Sequence, residues 1–66
     1  MLEDYIYANN RIVSDEEITV CIQSNKVVIQ TPFQESVVIR DPDDPMEIWN
    51  DPNPESIIFE AQKLID

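Results

Sequence analysis

Residues 18–30 read ITVCIQSNKVVIQ, and this stretch decides the fold. Ile18, Val20 and Ile22 alternate with Thr19, Cys21 and Gln23, the period of a strand half-buried against a core. Ser24-Asn25 interrupts the run, and Lys26-Val27-Val28-Ile29-Gln30 then resumes it. A two-residue turn at Ser24-Asn25 pairs Ile22 with Val27 and Val20 with Ile29 on one face, and Cys21 with Val28 on the other. Asn25 tolerates the left-handed backbone that tight hairpins ask for, which matters in a chain with no glycine.

Working outward, Ser36-Val37-Val38-Ile39-Arg40 reads as the next strand. The loop 31–35 is short enough for an antiparallel return, and Pro32, which has no amide proton to donate, ends the strand before it. Upstream, Tyr5-Ile6-Tyr7 and Arg11-Ile12-Val13 flank Asn9-Asn10, a glycine-free turn that would pair Tyr7 with Ile12 and Ile6 with Val13. A helix over residues 2–8 competes with that strand.

From residue 41 the character changes. Asp41-Pro42-Asp43-Asp44-Pro45 suits neither a central strand nor a helix interior. Asp44 followed by Pro45 marks a helix start, giving about one turn over 46–50 that Asp51-Pro52 stops. Asn53-Pro54-Glu55 repeats the signal, with Asn53 as cap, and the helix it opens runs to about Ile65. Ile57, Ile58, Ala61, Leu64 and Ile65 share one arc of its wheel, while Phe59 falls on the far side near Lys63. Strands first and helix last define an α+β fold. The expectation is an antiparallel β-meander of four or five strands packed by a C-terminal α-helix. It is one domain over 1–66, with the meander in 1–40, an acidic proline-rich connection with a short helix in 41–53, and the final helix in 54–65.

Composition narrows the function. Fourteen acids against four bases give a net charge of −10. Nucleic acid and anionic membranes repel such a chain, and a basic protein surface attracts it. No apolar run approaches the ~20 residues that span a bilayer, and no basic stretch precedes an apolar one in the manner of a signal peptide. A lone Cys21 fits a reducing compartment, so a cytoplasmic location is expected. The absence of histidine removes Ser-His and Cys-His pairs and a Cys/His zinc site. The absence of glycine removes phosphate-cradling loops and the sharp turn of a calcium loop. Cys21, mid-strand among apolar residues, reads as an inert thiol. No catalysis, cofactor or dedicated metal is expected.

The candidate binding residues lie in the second half of the chain. Asp41, Asp43, Asp44, Glu47 and Asp51 form a run without a base, and residues 34–66 carry nine acids against two bases. Prolines at 42, 45 and 52 limit its collapse, so its carboxylates could imitate a phosphate backbone in a groove lined by Lys and Arg. The plainer reading is a solvated loop whose aspartates cap turns. Glu35, with Asp15, Glu16 and Glu17, would extend the patch if the fold brings them near. Trp49 either plugs one end of a thin core or anchors a partner. Phe59, off the helix stripe, is a candidate for a partner or a second copy.

In size, charge and lack of catalytic residues the chain resembles small acidic phage-encoded proteins that block host defence, including anti-CRISPR proteins and DNA mimics. That likeness carries no motif. It implies an inhibitor or modulator acting in a host cytoplasm on the basic groove of a nucleic-acid-binding protein. The alternative is a structural or adaptor subunit, in its simplest form a homodimer through an edge strand or the helix.

Overall fold

The computed structural model describes residues 2–41 and 43–65. Five strands, β1 (Glu3–Tyr7), β2 (Asn10–Asp15), β3 (Ile18–Ile22), β4 (Lys26–Gln30) and β5 (Glu35–Ile39), form one antiparallel meander in chain order. A 3₁₀ turn at Ile48–Asn50 and the helix α1 (Pro54–Ile65) follow. The architecture is the α+β meander with a C-terminal helix, and residues 3–7 are strand.

The central hairpin has the register its sequence implies, with Ile22 opposite Val27, Val20 opposite Ile29 and Cys21 opposite Val28. Its turn needs no left-handed residue. Gln23 N–H donates to the Lys26 carbonyl at 2.8 Å, and the described residues with positive φ are Asn9 (68°) and Glu16 (44°) instead.

The first hairpin departs from expectation. The turn falls on Ala8-Asn9, so Tyr7 faces Asn10, Ile6 faces Arg11 and Tyr5 faces Ile12. Asn9 supplies the positive φ as the last turn residue, which frees Asn10 to extend into β2. The slip is two residues, so every side chain stays on its expected face.

The core is thin. Val13, Ile18, Val20, Ile22, Val27 and Ile29 point from one sheet face toward Ile57, Ile58 and Ala61 of α1 and toward Trp49. The helix starts where expected: Asn53 Oδ1 accepts the Glu55 N–H at 3.0 Å. Leu64 is the exception on the stripe and remains 48% exposed. A helix of twelve residues is about 18 Å long and a five-residue strand about 17 Å. The stripe is covered along that length, with Ile57, Ile58 and Ala61 buried and Ile65 packed against the core, and Leu64 lies at its border on the wheel.

Candidate binding surface

With α1 on one side, the opposite face of the sheet has no covering layer among the described residues. The ladders place Tyr5 opposite Ile12, Ile12 opposite Cys21, Cys21 opposite Val28 and Val28 opposite Val37. One apolar residue from each strand therefore forms an unbroken row across the sheet. Tyr7 and Ile39 widen it toward the Lys26 end, and the Tyr5 and Tyr7 rings stack at 6.4 Å between centroids. Val37 is 56% and Ile39 82% exposed. The parallel row toward the other strand ends is polar: Glu3, Ser14, Thr19, Gln30 and Glu35. Only two acids of the fourteen, Glu3 and Glu35, lie on this face within the strands, both at the rim.

The sequence signal for this row was present. Ile12-Val13, Val27-Val28 and Val37-Val38 are apolar at both parities, whereas a sheet wet on one face alternates apolar with polar.

The acidic segment is organised differently from a free carboxylate array. Asp41, Asp44 and Asp51 each accept the backbone N–H two residues on, at 3.1, 2.9 and 2.8 Å. Asp44 N–H, Glu47 N–H and Asn50 N–H each donate to the carbonyl three residues back, so the segment is a chain of successive turns. The helical part is consequently shorter than the expected 46–50 and begins at Ile48. Pro42, one of the three prolines expected to stiffen it, lies outside the described residues.

Asp41, Asp43 and Asp44 are exposed; Glu47 and Asp51 are half-buried. Glu47 faces inward because Arg40 holds it, Nε to Oε2 at 3.3 Å, while other Arg40 nitrogens donate to the Gln23 carbonyl and to Asn50 Oδ1.

The remaining expected site residues scatter. Glu35 opens β5 and Asp41 follows its end, so the strand's length of about 17 Å separates them. Asp15, Glu16 and Glu17 lie at the same end of the sheet as Glu35, not with 41–51. Trp49 is only 5% exposed and belongs to the core, closing the sheet end beside Ile22 and Arg11. It cannot anchor a partner from there; a large ring in a small domain finds its burial inside. Phe59 is 63% exposed, as its place on the wheel implies, with Lys63 Nζ 5.5 Å from the ring centroid.

Three of the four bases are engaged within the fold. Arg11 donates twice to the Asp4 carboxylate, at 2.9 and 2.7 Å, and to the carbonyls of Asp51 and Pro52. These hydrogen bonds from the guanidinium hold the Asp4 carboxyl below its ordinary range and raise Arg11 in return. Lys63 sits 3.7 Å from Glu60. Lys26 alone among the four bases makes no ion pair within the described residues, and it stands on the helix-free face opposite Ile39.

Among the described residues no group of three or more His, Cys, Asp or Glu is arranged to hold a metal ion, and no helix is long and apolar enough to cross a membrane. No protein family, no curated protein and no solved structure matches the chain.

Proposed function

We propose that this chain is a small, non-catalytic protein-binding module, an inhibitor or modulator, that docks with the helix-free face of its sheet on a basic partner. The apolar row Tyr5-Ile12-Cys21-Val28-Val37 carries the reading. Burial of apolar area drives association, and aromatic and aliphatic residues at the centre of a patch with polar groups around it form the usual anatomy of an interface. The charge selects the partner. Three of the four bases are paired internally, so the field around the molecule is negative and steers toward positive surfaces. A partner that normally holds nucleic acid has such a surface, which is the version of this reading in which Asp41, Asp43 and Asp44 meet Lys and Arg.

The test places a photo-crosslinking residue at Val28 or, separately, at Gln62 on α1, in cells that make the protein. The expected product forms from position 28, joins a protein of net positive charge, and fades as salt rises. Crosslinks confined to position 62, or a partner indifferent to salt, refute the proposal. Displacement by duplex DNA identifies the partner surface as a nucleic-acid groove, and failure to displace removes the DNA-mimic version while leaving docking intact.

A further inference from the structure

We infer that β5 is a pairing edge for a second copy of this chain, joining two sheets into one of ten strands. The two edges of the sheet differ in the feature that decides edge pairing. Natural edges are protected by charge, particularly charge pointing inward. β1 has both: Glu3 and Asp4 stand in its five residues, and Asp4 lies on the core-side face opposite Val13, held by Arg11. β5 has no inward-pointing charge: its one charged residue, Glu35, stands at its first position on the helix-free face, and Ser36-Val37-Val38-Ile39 holds no charge and no proline.

The backbone of β5 is free to pair. Thr31 N–H to Gln34 C=O (2.9 Å) and Arg40 N–H to Asn25 C=O (3.0 Å) fix which residues turn toward β4. By the alternation of an antiparallel ladder, Glu35, Val37 and Ile39 turn their amide groups outward. No described backbone hydrogen bond takes them up on that side.

Continuity of the apolar row across Val37 argues for a second copy as the occupant, and the area of the face gives the purpose of the pair in docking. Five strands about 4.8 Å apart and about 17 Å long make a helix-free face on the order of 400 Å². A stable interface needs roughly 800 Å² per partner. A second sheet added at β5 doubles the face to about that size and continues the apolar row from Val37 into its copy, and ten strands remain within the usual range of open sheets. A two-fold axis normal to the sheet keeps both helices on one side and allows two registers. Val38 opposite its copy would set Glu35 against Asp41, so the register with Val37 opposite its copy is preferred. This inference rests on the docking reading only for the purpose of the pair; the pairing itself is tested with no partner present.

Sedimentation equilibrium of the native chain is expected to give twice the 7.7 kDa of one copy. Moderate salt should tighten the pair, because it screens repulsion between two acidic chains, whereas it weakens docking on a basic partner. Val37→Lys should return the mass to one copy, keep the far-UV circular dichroism of the folded chain, and abolish the rise of the thermal midpoint with protein concentration that pairing gives the native chain. In a Cys21→Ser background, Val37→Cys should form a covalent dimer under mild oxidation, since paired Cα atoms lie about 5.5 Å apart, and Val38→Cys should not. A native mass of one copy across the concentration range overturns the inference, as does a dimer untouched by Val37→Lys or bridged through residue 38. Docking can survive that result, and pairing can survive a failure of docking.

Discussion

Replacing Trp49 tests the account of the fold at its most exacting point. The ring closes the core at the Arg11 and Arg40 end of the sheet and is nearly inaccessible. Trp→Ala in a packed interior costs about 3–5 kcal/mol. At about 0.05–0.15 kcal/mol per residue, a chain of 66 residues has roughly 3–10 kcal/mol in total. Trp49→Ala should therefore leave the protein largely unfolded or lower its midpoint by more than ~15 °C, at about 4–8 °C per kcal/mol. Trp49→Phe keeps an aromatic plug and should cost about 1–2 kcal/mol.

Urea titration followed by far-UV circular dichroism measures both variants. Trp49 is the only tryptophan, so native emission should be blue-shifted, poorly quenched by acrylamide, and should shift red at the same urea midpoint. A Trp49→Ala variant within about 0.5 kcal/mol of the native chain, the scale of an ordinary surface change, would refute the burial. Loss of partner binding without loss of stability would return Trp49 to the surface role its sequence context also allowed.

Three further outcomes can be measured with the same melts. Glu16 holds φ 44° at the β2–β3 turn without the freedom of glycine, so Glu16→Gly should stabilise by up to about 1 kcal/mol; a loss there would mean the turn is not strained. Asn53→Ala removes the acceptor for the Glu55 N–H and should cost about 1 kcal/mol with little change elsewhere. Because Asp4 is held below its ordinary value by Arg11, the unfolded chain takes up its proton first as pH falls. The contribution of Asp4 is thus fully present above about pH 4 and is lost as pH drops through the lowered folded value. Asp4→Asn should remove that part of the acid sensitivity, and an unchanged acid limb in stability against pH would show the pair to be inconsequential.

How far the sequence could be read depended on which physics set each feature. The 18–30 hairpin was legible because one register alone matched apolar residues on both faces and a two-residue turn fitted between them. The cap at Asn53 was legible because Asn-Pro-Glu leaves few alternatives. The β1–β2 register was not, since Asn9 and Asn10 are equally able to turn and only Asn9 does so. The spatial arrangement of the candidate site is not legible for a different reason. Charge is visible in sequence, but its use is not: Asp41, Asp44 and Asp51 spend an oxygen each on the local backbone, and Arg40 draws Glu47 inward. Tertiary placement moved Glu35 and residues 15–17 to the opposite end of the sheet. The helix-free row is hard to see in the sequence because each apolar residue in it looks, in its own strand, like one more contribution to the core.

That row has a cost in specificity. When both sides of a strand are greasy, sliding one ladder by a single residue exchanges inside for outside with little loss of buried area. Ile12 could stand in for Val13, or Val28 for Val27. Hydrophobicity therefore holds β2 and β5 less firmly than the alternating β3, and much of the task passes to the tight corners at Ala8-Asn9, Glu16-Glu17 and Ser24-Asn25 and to the guanidinium of Arg11. Lengthening any one of those corners by one residue should yield a chain that still collapses but no longer agrees on which way round it is.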